Sequence, residues 1–279
     1  MNIKIVADSS CDLNDKLENE LNIETVPLTI EIDGVRYKDD KNLDVKKMLD
    51  DMEKSPNTPK TSCPSPKDFM NSYGGDEDSV FAVTLSSALS GTYNSAVLAK
   101  DIFKEKIGNK FVHVFDSLSA SIGETLVSLK ISQMAKESYD NSEIVEKVTN
   151  YINEMKTFFV LESLENLIKA GRIGTIKGKI ASVLSIKPIM EGNKDGEISK
   201  VETVRGTKKA LRRLVDIIGE QGEKLEEKIL GIAHCDCPQR AEKLRTQIEK
   251  KYNFKDIIVV ETAGLSSVYA NRGGIIISF

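Results

Sequence analysis

Six hydroxyl side chains occur within twelve residues, LSSALSGTYNSA, between Leu85 and Ala96. An apolar run typical of a strand precedes this stretch, and a helix-like stretch from Tyr93 to Lys106 overlaps its end. The first N–H groups of a helix lack internal partners and attract anions, and Gly91 would let an anion approach the backbone closely. Ser90, Gly91 and Thr92 therefore form a candidate anion site, and plain capping of the helix is the alternative.

The charge of this segment limits what it can bind. No lysine or arginine lies between Val80 and Ala99, so nothing there would balance a polyphosphate. The candidate site suits a small anion with a single negative charge.

Further hydroxyls occur where other predicted elements end. Ser9-Ser10 and Ser117–Ser119 follow strand-like runs, and Thr61 and Ser62 lie in a proline-rich loop, Ser55–Pro66. Ligands of open parallel sheets bind outside the carboxyl ends of the strands. We therefore expect these hydroxyls to hydrogen-bond the polar end of a ligand.

Other kinds of chemistry have weaker support. No nucleophile elbow and no P-loop pattern occurs. His113 and His234 lie in predicted strands, which favours core or capping roles over catalysis. Cys235 and Cys237 lie in the sequence HCDCP, whose spacing is too tight for the usual zinc knuckle and which no second cysteine pair follows. We expect no metal site there, and free thiols at all four cysteines.

Composition narrows the class of protein. The chain has 279 residues and a net charge of −4, which argues against a broad nucleic-acid surface. The basic run Arg205–Arg213 is local and is interpreted as the polar face of a helix. No apolar run is long enough for a membrane span, and Met1–Asp8 is typical of a core strand and not of a signal peptide. These features predict a cytoplasmic protein without a membrane span.

Strand-like and helix-like segments alternate up to about residue 158, which predicts an α/β fold with a parallel sheet covered by helices on both faces. A hairpin is expected around NKDG in Lys187–Gly206, followed by strand–helix units and a final strand. We therefore expect two domains, an α/β domain over residues 1–158 and a smaller α+β domain over residues 159–279.

Six segments together resemble the DegV family in order and spacing. They are DSSCDL (Asp8–Leu13), TSCPSP (Thr61–Pro66), SSALSGTYNSA (Ser86–Ala96), FDSLSAS (Phe115–Ser121), LENLIKAGRI (Leu164–Ile173) and KPI (Lys187–Ile189). The resemblance implies a two-domain fold related to part of dihydroxyacetone kinase. It also implies that one long-chain fatty acid is bound, with its acyl chain buried between the domains. Some members are the acyl-presenting subunit of a bacterial fatty acid kinase system.

The resemblance also assigns candidate ligand-binding residues. Thr61 and Ser62 would hydrogen-bond the carboxylate together with Ser90 and the N–H of Gly91, Thr92 completes the SGT motif, and Arg172 matches an arginine near the carboxylate. Two positions depart from the family pattern. Cys63 replaces a frequent glutamine, and Ala270 takes the place of a histidine that kinase-coupled members carry, with Arg272 nearby as a substitute cation.

These observations favour a protein that buries a fatty acid and presents its carboxylate, with no cofactor and no catalytic residues. Two alternatives remain from the sequence. One is a stand-alone phosphotransferase or hydrolase acting on a small molecule, and the other is a regulatory protein without a ligand.

Overall fold

The computed structural model describes residues 2–108, 110–173 and 186–279. Its strands are β1 (Ile3–Asp8), β2 (Ile23–Val26), β3 (Thr29–Ile32), β4 (Val35–Lys38), β5 (Lys60–Ser62), β6 (Ser79–Thr84), β7 (Phe111–Asp116), β8 (Thr157–Val160), β9 (Ile186–Gly192), β10 (Ile198–Arg205), β11 (Ile229–His234), β12 (Asp256–Glu261) and β13 (Ile275–Ser278).

The helices are α1 (Asp15–Leu21), α2 (Val45–Lys54), α3 (Pro66–Tyr73), α4 (Thr92–Lys106), α5 (Ile122–Lys136), α6 (Asn141–Glu154), α7 (Glu165–Lys169), α8 (Thr207–Gln221), α9 (Pro238–Glu249) and α10 (Gly264–Ala270). Among the helices of the described ranges, none combines the length and the apolarity of a membrane span.

A four-stranded parallel sheet, in the order β2-β1-β6-β7, forms the first layer. Every residue of β6 is buried, because successive side chains point to opposite faces and helices cover both. Phe81 and Val83 pack against α5 and α6, while Val80 and Ala82 pack against α3 and α4. The predicted α/β fold with a parallel sheet is confirmed.

A six-stranded mixed sheet, in the order β10-β9-β8-β13-β11-β12, forms the second layer. Helices α8 and α9 pack on one face of it, around Leu214 and Ile248. The other face packs against α2, α10 and the small sheet β4-β3-β5, so that Phe159 shares a core with Ile30 and Met48. Residues from the first quarter of the chain therefore complete the core of the second sheet.

The expected domain boundary at residue 158 falls inside β8, which begins at Thr157 and pairs with β9 and β13. The apolar residues of Thr25–Gly34 predict a single strand from the sequence, but the structure divides this run between two strands. It forms β2 in the parallel sheet and β3 in the small sheet, because Pro27 separates them and lacks the N–H that a continuous ladder needs. Within the proline-rich loop, Lys60–Ser62 forms β5 against β3.

The predicted hairpin is present as β9 and β10, with its turn at Asn193–Gly196. Its tip contacts the first layer, where the Ser86 hydroxyl donates a 2.7 Å hydrogen bond to the carbonyl of Gly196. Gly196 has a φ of +74°, and a Cβ there would collide with the Ser86 hydroxyl. This close approach requires glycine and joins the second sheet to the hydroxyl-rich segment.

Candidate ligand-binding site

A largely apolar cavity lies between the carboxyl ends of the parallel strands and the six-stranded sheet. It contains about 900 Å³ of space free of atoms, counting its open end. Leu85 and Leu118 line it after β6 and β7, while Phe159, Ile198 and Ile276 line it from β8, β10 and β13. Walls of this kind exclude water and suit a hydrocarbon ligand.

Four half-buried polar residues line the same cavity: Thr61, Ser90, Arg172 and Tyr269. We call these four residues the mouth. They come from β5, from the segment before α4, from the segment after α7 and from α10. Three hydroxyls and a guanidinium are all able to donate hydrogen bonds to an anion. The arrangement can therefore hold a carboxylate while a hydrocarbon chain extends into the cavity.

Thr61 and Ser62 are neighbours in β5 and lie on opposite faces of the strand. Thr61 lines the cavity, and its Oγ1 lies 2.8 Å from the phenol oxygen of Tyr269. The side chain of Ser62 is exposed and does not line the cavity. A contact between the Ser62 hydroxyl and a ligand stays a prediction, and it would need a rearrangement of the loop after β5.

The SGT segment has a clear local structure. Helix α4 begins at Thr92 with Gly91 as its N-cap, and glycine has no side chain to satisfy the first N–H groups. Ser90 accepts a hydrogen bond from the N–H of Thr92 at 3.3 Å, and its Oγ lies 2.8 Å from the Thr92 Oγ1. Thr92 itself is buried and does not line the cavity. Ser90 is therefore the hydroxyl of this segment that is placed to reach a ligand.

The two loops that carry the hydroxyl motifs lie side by side. A Cβ at Gly91 would lie 3.7 Å from the Cys63 sulfur. Arg172, which follows α7, reaches the same segment. Its Nε donates a hydrogen bond to the carbonyl of Leu89 at 3.1 Å, and its Nη1 donates to the carbonyl of Ala170. The structure thus brings Thr61, Ser90 and Arg172 together at one cavity, while their contacts with a ligand stay a prediction.

Buried carboxylates hold the loops around the cavity in place, a role that the sequence analysis missed. Asp8 accepts hydrogen bonds from the N–H groups of Ser10 and Leu85, both at 2.8 Å. Burial raises the pKa of its carboxyl to about 7. The signal was present in the sequence, because an acid directly follows the apolar residues Ile5, Val6 and Ala7 of β1, and a buried carboxyl is stable only when it is paired.

Two more buried carboxylates hold the start of α10. Asp12 accepts a hydrogen bond from the N–H of Ala263 at 2.7 Å. Asp39 accepts from the N–H groups of Gly264 and Leu265 at 2.8 and 2.9 Å. Helix α10 contributes four residues to the cavity wall: Leu265, Ser266, Tyr269 and Ala270.

Ala270 lines the cavity, but Arg272 does not. The guanidinium of Arg272 pairs with Asp50, Glu53 and Asp236 at 2.7 to 2.8 Å. The suggestion that Arg272 supplies a substitute cation at the ligand site is therefore wrong, since three carboxylates already hold it elsewhere.

No residue of the HCDCP segment lines this cavity. Cys235 is fully buried and Cys237 is half-buried, and burial raises the pKa of both thiols, that of Cys237 to about 11. The Nδ1 of His234 accepts a 3.4 Å hydrogen bond from the N–H of Cys237, as a capping histidine would. Thiols that hold their protons are poor metal ligands, which agrees with the expectation of no metal site. That expectation stays a prediction.

The family model described as "Uncharacterised protein, DegV family" matches residues 2–279. The chain belongs to the DegV family. The resemblance carried by the six sequence segments is thereby confirmed, and it extends over nearly the whole chain.

Three solved DegV structures are similar to this chain. A DegV protein from Ruminococcus gnavus, refined with vaccenic acid, is 42% identical, with a TM-score of 0.96 and 99% of each chain covered. One from Eubacterium eligens, loaded with heptadecanoic acid, is 33% identical, with a TM-score of 0.90 and 99% and 98% covered. The Fatty Acid Kinase (Fak) B3 protein from Streptococcus pneumoniae, loaded with linoleic acid, is 30% identical, with a TM-score of 0.91 and 100% and 99% covered.

Proposed function

We propose that this protein binds one long-chain fatty acid, with the acyl chain in the cavity and the carboxylate at the mouth. One observation carries the proposal: an apolar cavity between the two layers ends in hydroxyls and an arginine beside an N-cap that has no side chain. Similar DegV structures with vaccenic, heptadecanoic and linoleic acid support the same ligand class.

The physical chemistry of the two ends agrees with this ligand. Each methylene buried from water contributes about 0.8 kcal/mol before the cost of association, so the acyl chain supplies most of the affinity. The carboxylate would accept charge-assisted hydrogen bonds from Thr61 and Ser90 and from the N–H of Gly91, with Arg172 as the positive charge. Ser62 would join this set if the loop after β5 turned toward the ligand.

Identifying the lipid that copurifies with the protein tests the proposal. Native mass spectrometry should show one bound mass per chain, and extraction should yield a fatty acid of roughly C14 to C18, long enough for methylene burial to outweigh the association cost. A chain that copurifies without lipid, and that binds no added fatty acid, would contradict the function.

Removing a hydroxyl of the mouth should weaken binding without preventing it. Ser90→Ala and Thr61→Val are each expected to lower affinity for a fatty acid by about 1–3 kcal/mol, because each variant deletes a donor to a charged carboxylate. Titration with a fluorescent fatty acid measures the effect. Ser87→Ala, which alters an exposed hydroxyl in the same segment, is the matched control. Equal affinity in all four proteins would reject the carboxylate assignment.

One relative favours a second, more specific role. Because a Fatty Acid Kinase (Fak) B3 protein is similar to this chain, we infer a non-catalytic subunit that presents the carboxylate to a kinase. The kinase would transfer the γ-phosphoryl group of ATP to a carboxylate oxygen, forming an acyl phosphate and releasing ADP. Ala270 supplies no imidazole at the cavity wall, so we expect slow acyl phosphate formation.

An assay with labelled ATP and a purified fatty acid kinase checks this expectation. The loaded protein is compared with the loaded Fak B3 protein from S. pneumoniae at equal concentration. A rate at least about tenfold lower is expected, which corresponds to a loss of 1.4 kcal/mol at the transition state. Equal rates would show that an imidazole near position 270 is dispensable.

A further inference from the structure

Tyr269 is the one mouth residue that no sequence motif assigned. It lies on α10, lines the cavity and is half-buried. Its ring packs against the apolar cluster that contains Leu28, Leu85 and Leu265. Its phenol oxygen lies 2.8 Å from the Oγ1 of Thr61. The ring is therefore fixed by packing, while the hydroxyl is aligned with a residue expected to bind the ligand.

The hydrogen bond between the hydroxyls of Tyr269 and Thr61 uses only one of their two O–H protons. Each hydroxyl carries one proton, and only one of the two is used between them. The remaining O–H has no acceptor among the residues that the structure describes. A carboxylate is an acceptor only, so two adjacent hydroxyls match it better than they match each other.

Tyr269 and Thr61 are held next to each other by separate, well-anchored elements of the fold. Tyr269 comes from α10, whereas Thr61 comes from β5 in the small sheet. The two groups are 208 residues apart in the chain and meet at the wall of the cavity. Asp12 and Asp39 fix the start of α10 through the N–H groups of Ala263, Gly264 and Leu265, so the position of Tyr269 is set before a ligand arrives.

We propose that Tyr269 is a carboxylate-binding residue of this protein, donating its phenol O–H to the bound acid beside Thr61. This inference rests on the proposed function, since it names a further group at the same site. The phenol and the threonine hydroxyl each donate one hydrogen bond to the carboxylate, which replaces the bond between them. The acyl chain makes no use of the phenol proton, so the contribution of this hydroxyl is specific to the acid group.

Affinities for an acid and for the matching alcohol separate this role from packing. In Tyr269→Phe, affinity for palmitic acid should fall about tenfold, the effect of losing one charge-assisted hydrogen bond. Affinity for 1-hexadecanol should fall by a clearly smaller factor, because the ring and its packing remain and a neutral alcohol accepts a weaker hydrogen bond than a carboxylate does. Tyr93→Phe is the matched control, since Tyr93 lies in the first turn of α4, packs against the cluster between α3, α4 and the parallel sheet, and does not line the cavity. It should leave both affinities unchanged.

The bound carboxyl group provides a second measurement. With palmitic acid labelled with ¹³C at the carboxyl carbon, NMR follows the pH at which the bound acid takes up a proton. Loss of a donor to the carboxylate destabilises its charged form, so this pH should be higher in Tyr269→Phe than in the wild type. A purely structural role would not move it.

The outcomes are distinct. Failure of the wild type to bind palmitic acid would reject the proposed function itself. Binding by the wild type with an unchanged affinity and an unchanged carboxyl titration in Tyr269→Phe would overturn the inference alone. An equal loss for the acid and the alcohol would also overturn it, because it would assign Tyr269 to packing.

Discussion

Replacing Asp39 by alanine is expected to lower the free energy of unfolding by roughly 2–5 kcal/mol, since each of two buried N–H groups would lose its acceptor. Asp39 is 3% exposed, and its two oxygens accept from Gly264 and Leu265 at 2.8 and 2.9 Å. Gly264 and Leu265 are themselves buried, so water would not replace the carboxylate easily.

The same substitution should reach the ligand site through α10. That helix supplies Tyr269 and Leu265 to the cavity, and a loosened first turn would release both from their positions. Fatty acid affinity is therefore expected to fall together with stability. Thr61→Val, by contrast, should lower affinity with little change in stability, because Thr61 is half-buried and lies in a short strand.

Urea denaturation and fatty acid titration of Asp39→Ala measure the two effects. Asp40→Ala is the matched control, because Asp40 accepts from the N–H of Asn42 in an exposed turn and pairs with Lys38. An exposed pair of this kind contributes about 1 kcal/mol or less. If Asp39→Ala and Asp40→Ala lost equal stability, the two buried hydrogen bonds would not anchor α10.

The parallel sheet could be predicted from the sequence because its information is local. Strand β6 is a continuous apolar run between polar segments, and its helix follows at once. The same locality placed Ser90 at the start of a helix, and the ordered motifs brought Thr61 and Arg172 to the same site, although the structure puts Thr61 in strand β5 and not in a loop. Three of the six candidate residues line the cavity for these reasons.

Tyr269 and Asp39 could not be predicted in the same way. The partners of the Asp39 carboxylate lie 225 and 226 residues further along the chain. No local sequence pattern indicates a contact between residues so far apart. The run Thr25–Gly34 has the alternation of one strand, yet its two halves serve different sheets. Thr61 and Ser62 are adjacent hydroxyl residues of one motif, so the sequence does not show which of them faces the cavity. The pleat of β5 decides this, because successive side chains of a strand point to opposite faces.

Glu124 is the most unusual buried group of the described chain. Its side chain is fully buried in α5, and neither carboxylate oxygen has a hydrogen-bond partner of good geometry among the described residues, although the nearby Ser10 hydroxyl lowers the pKa of this carboxyl against the effect of burial. Its neighbours are the carboxyls of Asp8 and Asp12 and the thiol of Cys11. Burial raises its pKa well above the usual value, and the charges of Asp8 and Asp12 raise it further.

A proton on Glu124 explains this arrangement. Two ionised carboxylates cannot hydrogen-bond each other, whereas a protonated Glu124 can donate to Asp8, and that bond lowers the pKa of Asp8 against the effect of burial. The unfolded chain loses the Glu124 proton near pH 4.5, but the folded chain keeps it to a much higher pH. Folding therefore takes up a proton between these limits, and the free energy of unfolding falls as the pH rises through this range.

Glu124→Gln should remove this loss of stability. The amide of glutamine is close in shape to the protonated acid and can donate a hydrogen bond to Asp8 in its place. Unlike the acid, the amide does not ionise, so its burial does not make stability depend on pH. Relative to the wild type, the variant should gain about 1.4 kcal/mol for each pH unit over which the folded wild type retains its extra proton. The two proteins should have similar free energies of unfolding at pH 4.5, and the variant should become increasingly more stable than the wild type as the pH rises to 7.5.

Urea denaturation at half-unit steps from pH 4.5 to pH 8 measures the difference directly. Asp8 and Asp12, whose pKa values burial raises to about 7, contribute a pH dependence to both proteins, so the difference between the two proteins reports Glu124 together with any change that its replacement causes in the titration of Asp8. Glu146→Gln is the control, because Glu146 is exposed on α6, and its stability should follow the wild type at every pH. If Glu124→Gln also followed the wild type in parallel from pH 4.5 to pH 8, Glu124 would be ionised in the folded chain. Its burial beside two aspartates would then have to be balanced by the Ser10 hydroxyl or by a cation or donor outside the described residues.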